Sequence, residues 1–80
     1  MQKQINLQDR LLDRLREERQ VVTLFTTNGF QMKGRITGFD GLVIVVEIRG
    51  EQQIVCRHAV STITPARPID LGSLGEEESQ

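Results

Sequence analysis

Tyrosine and tryptophan are absent from this chain, and cysteine and histidine occur once each, at Cys56 and His58. One cysteine excludes an internal disulfide and with it the stapled scaffold of a small secreted domain. Zinc sites draw on three or four protein ligands, and no third cysteine or histidine exists to extend this pair, so neither metal nor cofactor is expected. The three phenylalanines are the only aromatics, too few to line the peptide groove of a small protein-binding barrel. No apolar run approaches the ~20 residues that span a bilayer, and "MQKQINLQDR" lacks the apolar stretch of a signal peptide, so the chain reads as cytoplasmic with no membrane partner. Both prolines, Pro65 and Pro68, stand near the end, leaving 21–64 free to form sheet.

The near-neutral net charge of −1 conceals an uneven distribution. Residues 1–68 hold all ten basic residues and seven acids, a balance of +3, while Asp70 and Glu76–Glu78 leave 69–80 with acids alone. A mildly basic body of 1–68 followed by an acidic, glycine-containing tail over 69–80 keeps an anionic partner open. The tail carries no periodicity and is expected to be disordered.

Leu7, Leu11, Leu12 and Leu15 recur at helical spacing and predict an amphipathic helix ending near Arg19. Asn6 is its expected N-cap, and Asp9 puts negative charge in the first turn, where the helix dipole favours it. Strand-forming runs follow: "VVTLFTT" at 21–27, an Asn28–Gly29 turn, the alternating "FQMKGRI", an Asp40–Gly41 turn, the apolar "LVIVVEI" at 42–48, and "QQIVCRH" and "VSTIT" at 52–58 and 60–64. The apolar run at 42–48 predicts a central strand buried on both faces, and Gly34 and Gly38 predict sharp bending. One helix and about five short antiparallel strands make a mainly β, strongly bent sheet or small open barrel. Its last two strands are apolar and lysine-free, poor edges for a monomer, so pairing with a second copy is expected. So small a domain also gains from assembly.

Within "IVCRHAVSTITP" (54–65), Cys56 and His58 fall on one face of a predicted strand with Arg57 between them. Three readings apply. Two metal ligands are too few. Side chains at i and i+2 of a flat strand run parallel rather than hydrogen-bonded, and no oxyanion donor is evident, which weighs against a nucleophile–base pair and against an enzyme. Cys56 then reads as a packed small hydrophobe, with Arg57 and His58 either a solvated charge and a turn residue or a row of hydrogen-bond donors.

"NLQD" before the helix, "NGFQMKG", "FDGLVIVV", "RHAVSTITP" and the acidic tail together resemble the Hfq family of bacterial Sm-like RNA chaperones, from about Asn6 to Pro68. "NGFQMKG" is similar to Gram-positive versions. The resemblance implies an N-terminal helix on a bent five-stranded antiparallel sheet, closed into a homohexameric ring that binds single-stranded RNA and promotes pairing of small regulatory RNAs with mRNAs. It implies a helix-side (proximal) site for U-rich RNA built from Gln8, Gly41, Leu42, Arg57 and His58. It implies an opposite (distal) site for purine-rich RNA built from Phe25, Gly29, Phe30, Met32, Gln53 and Thr62, and a rim site at Arg16 and Arg19. The chain departs from the family pattern at Leu42, where an aromatic is usual, at Cys56, where an aromatic commonly precedes the basic residue, at Arg57, where lysine is usual, and at Glu17, which replaces a rim arginine. Base–aromatic stacking contributes ~1–3 kcal/mol per base, so Leu42 implies a weaker proximal pocket. A small protein-binding barrel of SH3 type is the alternative from another class, separable by assembly mass.

Overall fold

The leucine stripe folds as expected into α1 (Leu7–Glu18), with Leu12 and Leu15 pressed into the core and Leu7 half-exposed. The computed structural model describes residues 7–72; the expected Asn6 cap and most of the acidic tail lie outside them. The helix ends in a paired-carbonyl cap: the Arg19 N–H donates to Arg16 at 3.2 Å and the Gln20 N–H to Leu15 at 3.4 Å. This cap requires a left-handed residue, commonly glycine, and here Arg19 adopts it at φ 56°. Gln20 is then buried at the junction, where its Oε1 accepts the Arg67 N–H at 2.8 Å and its Nε2 donates to Glu18 at 2.7 Å.

Five strands follow: β1 (Val21–Thr26), β2 (Gln31–Phe39), β3 (Val43–Ile48), β4 (Glu51–Cys56) and β5 (Val60–Pro65). They form one antiparallel sheet in the order β4-β3-β2-β1-β5. Register shifts between Ile36 and Gly38 and between Phe25 and Thr26 bend it around the core. Val22, Leu24, Ile36, Ile44, Val46 and Val55 line the inner face beneath Leu12 and Leu15. Gly34 lets β2 and β3 close up on that face, and Ile69 extends the packing past β5.

Three local expectations change. The apolar run at 42–48 is not the central strand: β2 is central, and β3 buries Ile44 and Val46 on one face while Val43 and Val45 on the other are half-buried. Asn28–Gly29 does not form a two-residue mirror-image turn. Only Gly29 has positive φ (96°), and Thr26 and Phe30 bracket a three-residue loop. Thr26 closes this loop by accepting the Phe30 N–H on Oγ1 at 2.9 Å. The two-residue turn instead joins β3 to β4, where Arg49 (φ 53°) and Gly50 (φ 83°) are both left-handed. Finally, the strand expected over 52–58 stops at Cys56, and Arg57–Ala59 wind a single 3-10 turn into β5.

Candidate functional site

That 3-10 turn separates Cys56 from His58, so the two do not share a strand face as their spacing predicts. Cys56 and His58 are both exposed. Arg57 points elsewhere. Its side chain is only 10% exposed and bridges the start of α1 to the β2–β3 turn. One terminal nitrogen donates to the Asp40 carbonyl at 2.5 Å; the other donates to Gln8 Oε1 and lies 2.8 Å from Asp9 Oδ1. The Asp9 approach is a charge contact without hydrogen-bond alignment.

The turn on the other side of this bridge is built by Asp40. Its Oδ1 accepts the Leu42 N–H at 2.8 Å and the Val43 N–H at 3.0 Å. These two backbone donors, and then the Arg57 charge, hold the Asp40 carboxyl below the usual carboxylate range. The Arg57 N–H closes the loop by donating to the Leu42 carbonyl at 2.9 Å. Leu42 is 71% exposed at its crest, with Gly41 beside it. The structure therefore gathers Gln8, Leu42 and Arg57 around one bridge, with Gly41 and His58 adjacent in sequence to it. A groove of about 270 Å³ opens alongside between α1 and β5, with Leu11, Leu15, Ile63 and Ile69 among its walls.

The residues expected on the distal face divide by register. Phe25 pairs with Thr62 on β5 and with Gln31 on β2, and side chains at paired positions share a face. This face is opposite the core. Met32 pairs with Leu24 and packs against the core, so it lies on the inner face. Phe30 is 64% exposed at the hairpin tip beside Gly29. Gln53 pairs with the buried Val46, so by the same rule it takes the inner-face side of β4, exposed there and not on Phe25's face, three strands from β1 or about 14 Å at the usual strand spacing. Within one chain Gln53 cannot join Phe25. Bringing the two strands together needs β4 of one copy beside β5 of another.

At the rim, Arg16 is ion-paired with Asp13 at 2.5 Å, both substantially exposed. Arg16 and Arg19 share a cavity of about 360 Å³ with Arg35, Thr37 and Glu47. Arg35 and Thr37 did not emerge from the sequence as site residues. Their alternation with the apolar positions of β2 reads as an ordinary solvated strand face, and only the fold brings them beside α1.

A helix capping a strongly bent five-stranded antiparallel sheet, with two edges unpaired among the described residues, defines the Sm-like class of small barrels. Residues 7–70 match the model of the Hfq protein family. The RNA-binding protein Hfq of Desulfitobacterium hafniense is 45% identical over 95% of this chain and 92% of its own length. That of Brevibacillus brevis is 45% identical over 100% of this chain and 99% of its own. A 1.55 Å crystal structure of Hfq, described as a pleiotropic translational regulator, superposes with a TM-score of 0.71 at 41% identity, covering 74% of this chain and 98% of that one. Hfq from Anabaena sp. gives a TM-score of 0.68 at 20% identity, over 74% of this chain and 95% of that one, and so shares the fold. The chain belongs to the Hfq family, and its relatives come from Firmicutes-like bacteria, in keeping with the Gram-positive resemblance.

Proposed function

We propose that the chain binds single-stranded RNA as a homohexameric ring, through U-rich contacts on the helix side and purine-rich contacts on the opposite face. On this reading it is a cytoplasmic RNA chaperone that pairs small RNAs with mRNAs, a binding protein rather than an enzyme. Relatives that match nearly the whole chain are RNA-binding proteins. The observation that carries the ring is the pair of uncovered edges, β4 and β5, at opposite ends of one sheet. Joining them between copies removes both edges and sets β4 of one chain, bearing Gln53, beside β5 of the next, bearing Thr62.

Gln8, Gly41, Leu42, Arg57 and His58 would then ring the pore on the helix side. Phe25, Gly29, Phe30, Met32, Gln53 and Thr62 would serve the purine-rich strand. Met32, packed on the inner face, would act there by supporting the Phe30 loop. Arg16 and Arg19 would contribute the rim. Residues 1–68 are the binding domain, and 69–80 its acidic tail.

Light scattering on the purified protein, followed by titration with oligo(U), oligo(A) and an AG-repeat RNA at several salt concentrations, tests the reading. A hexamer binding both RNA classes independently supports it. A monomer at micromolar concentration that binds none of them refutes it. Phe25→Ala and Phe30→Ala should weaken purine-rich RNA far more than oligo(U).

A further inference from the structure

We propose that Arg35 joins the distal-face site to the rim: an RNA strand leaving the purine-rich face is carried by its phosphates along β2 into the arginine cavity beside α1. This rests on the RNA-binding reading above and deepens it by making two of its sites one track.

The inference starts from the period of β2. Side chains at every second position of a strand share a face. Phe25 pairs with Gln31, so Gln31, Lys33 and Arg35 stand on the Phe25 face, and all three are exposed. The one register shift on β2 comes later, between Ile36 and Gly38. From Gln31 to Arg35 is about 13 Å at the usual rise per residue.

The far end of this row meets the helix. Arg35 pairs with Val21, the first residue of β1, and Gln20 alone separates Val21 from Arg19. The left-handed turn at Arg19 therefore sets the end of α1 beside Arg35, and Arg16, Arg19 and Arg35 line one cavity of about 360 Å³. Arg35 is thus on the Phe25 face and in the rim cavity at once. A guanidinium suits that place, because its planar fork matches phosphate and its charge is permanent.

Charge gives the track a direction. Glu47 faces Arg35 in the β2–β3 register and also lines the cavity. An anion passing Arg35 meets a carboxylate on the β3 side and two guanidinium groups on the α1 side, so it is turned toward the helix. Arg16 is held by Asp13 at 2.5 Å. Arg19 and Arg35 have no ion-pair partner within 4 Å among the described residues. An Arg35–Glu47 pair serving only the sheet would close to that distance, and it does not.

The test uses the full-length assembled protein and fluorescence anisotropy over a range of salt. Two RNAs are compared, an AG-repeat and the same AG-repeat with an unstructured oligo(C) extension at either end. The unaltered protein should bind the extended RNA several-fold more tightly, with a salt slope steeper by about 0.7 for each added phosphate contact. Arg35→Gln should remove most of this gain and leave the plain AG-repeat unchanged. Arg35→Lys, which keeps the charge, should restore the slope. Glu47→Gln, which removes the opposing carboxylate, should tighten the extended RNA alone.

No gain from either extension in the unaltered protein would overturn the proposal, as would a gain that survives Arg35→Gln. An equal loss on both RNAs in Arg35→Gln at an unchanged melting temperature would overturn it by placing Arg35 inside the purine site. Matched falls in melting temperature for Arg35→Gln and Glu47→Gln, with equal losses on both RNAs, would overturn it in favour of a sheet-stabilising pair. Failure of the unaltered protein to bind the AG-repeat itself would overturn the distal-face reading and the track with it.

Discussion

Gly34 lies so close to the Glu47 carbonyl that a Cβ at position 34 would sit 2.4 Å from that oxygen, with Ile48 Cγ1 at 2.8 Å. The obstacle is backbone, which cannot rotate away. Gly34→Ala should therefore cost ~1–3 kcal/mol or more in denaturant unfolding, the penalty of overpacking a core. Gly38 meets nothing within 4 Å, so Gly38→Ala should cost far less. Similar losses at both positions would show that bending freedom, not close approach, is what Gly34 supplies.

Arg49 and Gly50 form the mirror-image turn that a two-residue hairpin favours, and Arg49 holds φ 53° against its own Cβ. Arg49→Asn should relieve this and raise stability by up to about 1 kcal/mol, read as a melting temperature higher by several degrees. A lower melting temperature would mean that the Arg49 side chain makes a compensating contact in the assembled protein.

The depressed Asp40 carboxyl gives a pH prediction. A carboxylate whose folded value lies below its unfolded one stabilises fully above the unfolded value, near pH 4, and loses that contribution as the pH falls through the folded value. Glu18 shifts in the same direction, held first by the Gln20 amide and then by Arg67. Stability should be level above about pH 5 and decline below pH 4. Asp40→Asn keeps an acceptor for the Leu42 and Val43 N–H groups but no longer titrates. It should be the less stable protein at pH 7, and the difference should shrink as the pH falls below 4 and through the folded value. Parallel curves would exclude Asp40 as a source of the acid sensitivity.

The elements themselves were largely legible: the leucine stripe, the alternation on β2 and the turn residues place all six. The misreadings share a cause, which is that local pattern does not encode tertiary partners. Asn28–Gly29 has the better composition for a two-residue turn, but Thr26 ties Phe30 across a longer loop, and Arg49–Gly50 takes the tighter geometry. Arg57–Ala59 carries no glycine, proline or asparagine to announce a turn. Asp9 fits its role in the first helical turn, yet its partner is 48 positions away. The helix-side residues came from family likeness; that Arg57 is bound to Gln8 rather than displayed was visible only in three dimensions.

Leu42, exposed at the crest of the Asp40 turn, is positioned to accept an aromatic without disturbing the core. Leu42→Phe should tighten oligo(U) by up to about tenfold to a hundredfold, the gain from one base–aromatic contact of ~1–3 kcal/mol. AG-repeat affinity should stay constant. No change for oligo(U), or an equal gain for both RNAs, would place the uracil site away from this turn.

Ile54 is 69% exposed on the β4 edge, so a charge there costs the single chain little. Ile54→Lys should leave the secondary structure intact by circular dichroism and shift the mass by light scattering toward the monomer, because lysine on an edge blocks strand addition. An undisturbed hexamer would refute β4 as an assembly edge.

The two edges are unlike, and this has an arithmetic consequence. Where β4 of one copy takes β5 of the next, every junction is head-to-tail. A linear string of any length then keeps one bare β4 at one end and one bare β5 at the other. Lengthening the string never reduces that number; only the last junction does, and it removes both at once. Partial strings thus gain no protection from growth, and the closed form should accumulate with few intermediates. A chain blocked on β4, mixed with one blocked on β5, has a single usable junction between them and should stop at two.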